Sequence, residues 1–411
     1  MEALIIAFAA PVFFVLIALE MALASRRGHR GSYSFPDTVS NISCGIGQQL
    51  VQLLVHAPLL GAYLLVFEAG AVYEMPSTLW SWLVLLLLVD LAYYWFHRAS
   101  HRINVLWAAH VVHHQSQHYN LSVALRQSWL EGIFALPFFL PLALLGFPGE
   151  MFVAAKMIQT LYQFWIHTRE ISKLGPFESV LTTPSHHRVH HGINPEYIDK
   201  NYGGMLIIWD RLFGSFAAEK QEPAYGTVKP LNSWNPVWAN VSYFAEMLSL
   251  ARAAKRNLDR LRVGFMPPEW RPGSLGGAVA VPPVAPNRVR YQTTSPSLLR
   301  SYIGANFLLV TALTVGVLAT SMQLSPQELA ICCGLTFVSL ASWAALGERK
   351  SWGPVLELVR LAGSVVALAW LTRDSNLQVP AVICSAVLAS LLALWLQRGL
   401  QRSCRQVSLE A

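Results

Sequence analysis

Seven stretches of the chain are apolar for about 17 to 25 consecutive residues, long enough to cross a bilayer core as helices. They fall near 3–24, 42–66, 79–96, 302–321, 327–347, 353–372 and 378–397. Two further apolar stretches differ in kind. Residues 130–147 carry Pro137 and Pro141, residues 149–167 carry Lys156, and only Pro-Gly joins them, which predicts a re-entrant hairpin in place of two spans. The first stretch has no basic residues ahead of it and Arg26, Arg27 and Arg30 behind it, so it reads as an uncleaved helix and not as a signal peptide.

The pattern predicts an all-α fold, a polytopic membrane helical bundle, in three parts. Residues 1–220 alternate helices with polar, histidine-rich segments. Residues 221–299, with "MPPEWRPGSLGGAVAVPPVAPNRV", read as a cytoplasmic linker containing an interfacial helix at 236–260. Residues 300–411 form a C-terminal four-helix transmembrane unit with almost no ionisable groups in its spans.

Composition agrees: 54% of the 411 residues are apolar and 13% charged, against roughly 25% charged in a soluble domain. The net charge of +7 is unevenly placed. Arg26, Arg27, Arg30, Arg98, Arg102, Arg126, the basic residues from Arg169 to Arg300, Arg349, Lys350, Arg398, Arg402 and Arg405 fall on one side of the predicted spans, and Arg373 alone falls opposite. Positive loops stay in the cytoplasm, so the charge is a topology signal and an attraction to anionic lipid, not evidence for nucleic acid. The histidine-rich segments lie on that cytoplasmic side. The five cysteines, Cys44, Cys332, Cys333, Cys384 and Cys404, form no CxxC motif and read as packing residues.

The chemistry lies in the histidines. Residues 95–120 hold six of the protein's 13. On a helix, residues three and four apart share a face, so His97 and His101 in "HRASH" can point at one ion, and so can His110, His113 and His114 in "HVVHH". "HHRVHH" repeats the spacing with His187, His190 and His191, and His167 stands at the cytoplasmic end of the preceding apolar helix. These nine imidazoles can converge, whereas His29 and His56 read as interfacial residues. Neutral imidazole suits zinc, copper, nickel and iron. A single zinc uses about four ligands, so this set implies two metals. Neither HExxH nor HxxEH occurs, which removes the paired ligands and general-base Glu of a zinc peptidase, and heme needs only one or two axial histidines. Two metals beside a bilayer, reached by an apolar substrate, favour oxygen activation on a lipid.

Three residues nearby are candidates for supporting the reaction. Asp90 is an ionisable group inside an apolar helix, two turns before His97, placed to accept an imidazole N–H. Asn120 and Arg126, in and after "YNLS", could hold a lipid head or cap the next helix. Asp199, Asn201, Asp210 and Arg211 read as holding the last histidine box against the helices.

HxxxH at 97–101 and HxxHH at 110–114 and 187–191 resemble the boxes of the fatty acid hydroxylase and sterol desaturase superfamily. "YYWFHRASHRINVLWAAHVVHHQSQHYNLSVALRQS", "QFWIHTREISKLGPFE", "TPSHHRVHHGINPEYIDKNYGGMLIIWDRLFGSF" and "YGTVKPLNSWNP" are similar to the alkylglycerol monooxygenase family and its bacterial members. The resemblance implies two iron ions ligated by the eight box histidines, with His167 a ninth ligand, and oxidation by dioxygen of an unactivated C–H bond of a lipid. It implies tetrahydrobiopterin as electron donor and a bacterial inner membrane as location. Two departures stand out. Arg102 occupies a position where the animal members have Glu, and Gln117 and His118 one where they have an acidic pair. The alternatives are a sterol or fatty-acyl hydroxylase or desaturase with another electron donor, a zinc-dependent membrane hydrolase, and a non-catalytic metal-binding or transport protein.

Overall fold

The computed structural model describes residues 2–285 and 288–410, with side chains for 5–29, 31–285 and 288–401; Arg30, Arg402, Cys404 and Arg405 lie outside the described side chains. Among the described residues every regular element is helical. In chain order they are α1 (Glu2–Arg26), α2 (Phe35–Gly70), α3 (Leu79–Arg102), α4 (Asn104–Ala108), α5 (Val111–His114), α6 (Glu131–Leu144), α7 (Gly149–Trp165), α8 (Pro184–His190) and α9 (Ile208–Leu212). Then follow α10 (Pro236–Ala253), α11 (Asn257–Phe265), α12 (Ser297–Thr320), α13 (Pro326–Gly347), α14 (Gly353–Leu371) and α15 (Gln378–Glu410).

Among the described residues seven helices, α1, α2, α3 and α12 to α15, are long and apolar enough to cross a membrane, and the chain is an integral, multi-pass membrane protein. Their starts follow local chemistry. Thr78 caps α3 through Ser81 N, Ser325 and Glu328 make a reciprocal capping box at α13, and Pro follows the caps of α10 and α13. Helix α6 has 14 residues, short of a span, and α7 has 17 but is not among the helices apolar and long enough to cross. Gly146 turns the chain between them with φ of +87°, so close to Tyr73 that an added Cβ would sit 1.5 Å from its carbonyl oxygen; no other residue fits there.

Among the described residues, two larger cores hold the bundle. Tyr63 of α2, Leu85 and Val89 of α3, Ala135 and Phe139 of α6 and Met151 of α7 make one. The other joins Ile42, Ile46 and Leu50 of α2 to Tyr302 and Phe307 of α12, Trp343 of α13 and Leu396 of α15. The C-terminal unit is therefore packed on α2. It also holds more charge than its hydropathy suggests: buried Glu357 accepts from Arg360, Tyr302 and Ser342, tying α12, α13 and α14 together.

The linker departs from expectation in two ways. The helix expected at 236–260 is two, because α10 stops at Ala253 and Arg260 turns back to donate to the Ala254 carbonyl at 3.1 Å. Its later part lies on the histidine region: Arg288 donates to the carbonyls of Tyr225 and Thr227, and Tyr291 N donates to Gln117 Oε1 at 2.7 Å.

Candidate metal centre

All nine expected histidines come together, in two groups. His97 and His101 of α3, His110, His114 of α5 and His190 of α8 form the first; His113 of α5, His167 after α7, His187 of α8 and His191 form the second. Within each group the ligand atoms lie within 4.8 Å of one another. The groups abut, with the rings of His114 and His191 stacked at 4.4 Å.

The expectation that His110, His113 and His114 point at one ion is overturned. At 3.6 residues per turn, positions i and i+4 differ by about 40° around a helix, whereas i+3 and i+4 differ by about 100°. Each HxxHH box accordingly gives its outer pair to one group and its middle histidine to the other. His110 and His114 join the first while His113 joins the second; His187 and His191 join the second while His190 joins the first. One turn of helix in each box serves both groups.

The tautomers explain how these rings could bind metal. Nδ1 donates to a backbone carbonyl in His97 (Tyr202 O, 2.8 Å), His113 (Arg126 O, 3.1 Å), His167 (Gln163 O, 2.7 Å) and His190 (Lys200 O, 3.0 Å). A carbonyl only accepts, so the proton sits on Nδ1 and Nε2 keeps its lone pair. Yet Nε2 of His167 faces Nε2 of His113 at 3.2 Å, lone pair against lone pair. The Nε2 atoms of His97, His101 and His190 are buried with no hydrogen-bond partner. Imidazole bound at about 2.0–2.1 Å to an ion, with ligand angles between 90° and 109°, would put neighbouring nitrogens about 2.9–3.4 Å apart. The observed 2.9 Å between His187 and His167, and 3.2 Å between His191 and His187 and between His114 and His110, match. Burial, then neighbouring imidazoles, hold His110, His114, His167, His187, His190 and His191 well below the usual imidazole range. Burial takes His113 down to about 4. Neutral imidazole is the metal-binding form, so the residues present fit a pair of metal ions.

The supporting residues differ from expectation. Asp90 reaches no imidazole. It accepts from Met205 N (2.7 Å), Leu206 N (3.0 Å), Trp209 Nε1 (3.0 Å) and Gln159 Nε2 (3.4 Å), fixing the loop whose Tyr202 carbonyl holds His97. Asp210 holds the same loop through Tyr202 N and Gly203 N, both 2.7 Å. Asn201, at φ of +56°, bridges His186 and Ala217, and Arg211 donates to the Glu178 carbonyl. Arg126 and Asn120 are not turned toward a lipid head. Buried Arg126 spends its guanidinium on Val112 O, Ser40, Asn41 and Gln115, locking α5 to α2, and Asn120 holds Ser32 O and caps the turn at Ser122. Arg102 pairs with Asp199 and with Glu269, so its charge is neutralised at the rim. His118 donates to Gly31 O and His186 contacts Thr183; neither joins a group. His29 pairs with Glu170.

Two acids were missed. Glu20, inside α1, accepts from Thr168, Tyr33 and Leu121 N, pinning the turn that carries His167. Asp37 accepts from Ser116 and Asn41 behind α5. The signal that singled out Asp90, an acid within an apolar run, applies equally to Glu20.

A cavity of about 320 Å³ reaches His110, His113 and His167. Its walls are mostly apolar: Phe13 of α1, Ile46 of α2, Phe139 of α6, Phe152 of α7 and Val315 and Leu318 of α12. His56, expected at an interface, also lines it. Such a site, mostly apolar and reaching imidazoles, suits an alkyl or acyl chain.

Comparison with known proteins agrees with this chemistry. A fatty acid hydroxylase profile matches residues 82–215, which contain all nine histidines. An alkylglycerol monooxygenase of Xenopus tropicalis is 35% identical over 352 residues, 85% of this chain and 78% of that protein. The human alkylglycerol monooxygenase is 35% identical over 355 residues, 86% and 80% of the two chains. An ornithine lipid hydroxylase of Rhizobium tropici is 29% identical over 132 residues, 32% of this chain and 40% of that one. No solved structure matches. A likeness that runs through most of both chains, and centres on the segment that gathers the imidazoles, places this protein in the alkylglycerol monooxygenase family of the fatty acid hydroxylases.

Proposed function

We propose that the protein is a membrane di-iron oxygenase that hydroxylates a C–H bond of an ether lipid, the alkylglycerol class for which its relatives are named, with tetrahydrobiopterin as electron donor. The observation that carries this reading is the pair of histidine groups, three members of which line a mostly apolar cavity. In the proposal the nine histidines are the ligands: five for one iron, four for the other. Bound iron would supply the reduction and cleavage of dioxygen. One oxygen atom enters the C–H bond and the other leaves as water, taking two electrons and two protons from the donor. The chain's own part is to hold neutral Nε2 atoms inward through the four carbonyls, to exclude water with the apolar walls, and to present one carbon of a bound chain.

Residues 1–220 are proposed as the catalytic part, 221–299 as a linker covering its cytoplasmic side, and 300–411 as a unit completing the cavity wall. Basic loops orient the histidines toward the cytoplasm of a bacterial inner membrane.

Iron analysis and lipidomics test the proposal. Two irons per chain are expected, and a deletion strain complemented with wild type, but not with His113→Ala, should regain the missing lipid products. Two zinc ions without iron in protein from iron-replete cells would favour a hydrolase, equal rescue by both genes would defeat the catalytic reading, and activity indifferent to pterin would assign another donor.

A further inference from the structure

The cavity that reaches the histidines is separated from the bilayer by one helix. On the α1 side Ile6, Ala10, Phe13 and Phe14 line it, while Phe8, Val12 and Val15 of the same helix are exposed on the outer surface of the bundle. On the α7 side Thr160, Leu161 and Phe164 line it, and Leu161 is exposed as well.

Helix α1 is held unevenly along its length. Its cytoplasmic end is tied by polar bonds: Glu20 accepts from Thr168, Tyr33 and Leu121 N, and Arg27, just past the helix, pairs with Glu170. From Ala3 to Leu19 every residue is apolar, so no side-chain hydrogen bond holds this stretch and its packing, against α12 among others, must do so. Pro11 lies inside it. Proline has no N–H to give the Ala7 carbonyl, so the helix lacks a bond there and bends most easily at that turn.

Across to α7 the rings of Phe13 and Phe164 stack with centres 4.3 Å apart. Phe164 lies in the turn before His167, so this contact closes the wall beside the second histidine group. Beyond the burial of its rings, such a pair contributes about 0.5–1.5 kcal/mol, a barrier that thermal motion crosses readily. A lipid is dissolved in the bilayer, and the stretch of wall without polar bonds faces that reservoir. Helix α1 also lies outside residues 82–215, the part that gathers the imidazoles.

We propose that lipid enters the cavity sideways from the bilayer between α1 and α7, parting the Phe13–Phe164 stack as α1 bends at Pro11. This rests on reading the cavity as the substrate site.

The test is the rate at which a long-chain 1-alkylglycerol, with a fluorophore at its chain end, passes from phosphatidylcholine vesicles into the full-length iron-loaded protein and back. A portal sets both rates and leaves their ratio alone, whereas a residue that only lines the site changes the ratio. Phe13→Ala should speed uptake and release together, roughly two- to tenfold, and Pro11→Ala, which restores the missing helix bond, should slow both. Phe13→Cys combined with Phe164→Cys, joined by a short cleavable thiol linker, should slow both roughly tenfold or more, and cleavage should restore them; the single-cysteine variants, treated alike, control for the native cysteines. Iron content and melting temperature report folding. A folded, bridged protein that exchanges lipid at the unbridged rate overturns the portal and leaves the oxygenase reading intact. If the double variant does not fold, wild-type rates in both Phe13→Ala and Pro11→Ala overturn it instead. Lipid that exchanges as proposed but is never oxidised overturns the oxygenase reading alone, and a wild type that takes up no lipid overturns the cavity as substrate site and the portal with it.

Discussion

Asp90→Asn isolates the role of a group that touches no histidine. Asp90 Oδ1 accepts from Met205 N and Gln159 Nε2, and Oδ2 from Leu206 N and Trp209 Nε1. Asparagine keeps one accepting oxygen and turns an NH₂ toward two donors at the other position, so two hydrogen bonds are lost whichever way the amide sits. Hydrogen bonds to a charged group contribute about 1.5–3 kcal/mol each, so the change weakens loop docking by about 3 kcal/mol at the low end, roughly a hundredfold in the docked population. The Tyr202 carbonyl, 2.8 Å from His97 Nδ1, moves with that loop. Loss of an outer partner of a metal-binding histidine typically costs 10- to 100-fold in affinity. Iron titration of purified apoprotein should show that weakening, with full occupancy recovered at excess iron. Wild-type iron affinity together with a wild-type melting temperature in Asp90→Asn would refute the reasoning; iron that no excess restores would point to direct ligation.

Gly204→Ala attacks the same contact sterically, because an added Cβ would meet Tyr93 at 2.8 Å and Asp90 and Gln159 at 2.9 Å; a loss of about 1–3 kcal/mol is expected, read as a lowered melting temperature. His113→Ala should abolish iron binding at one or both sites, whereas His118→Ala should leave iron per chain unchanged, both measured by elemental analysis. Acid should destabilise the apoprotein: His113 ionises near 6.5 when exposed and at about 4 when folded, so stability is fully present above about pH 6.5 and falls as pH drops toward 4. Apoprotein melting from pH 8 to 4.5 checks this, and a curve flat through pH 5 would contradict it. The same neutral rings predict little proton release when metal is added at pH 7, which calorimetry in buffers of different ionisation enthalpy measures.

The membrane helices and the histidine set were legible because each rests on local order: unbroken apolar runs for the spans, three- and four-residue spacing for the boxes. The partition of ligands was not read, since the 100° between His113 and His114 matters only once α5 and α8 face each other. The tautomer-setting carbonyls of Tyr202, Gln163, Arg126 and Lys200 carry no signature in residue type. Asp90 was recognised as costly in an apolar helix, but its true partners are backbone amides 115 and 116 positions away. Glu20 was passed over although it sits in the same kind of run. Arg126 looked available because its partners on α2 lie 85 and 86 residues distant.

The cavity wall supplied by α12 has an evolutionary consequence. Val315 and Leu318 line the same space as His113, yet α12 carries no histidine and packs on α2 through a separate core. Changes along that face can alter the space without moving any of the nine histidines or its carbonyl support. If the cavity holds the substrate as proposed, substrate choice in this lineage can drift through the C-terminal helices while the histidine boxes stay unaltered, so that relatives with identical boxes need not share a substrate.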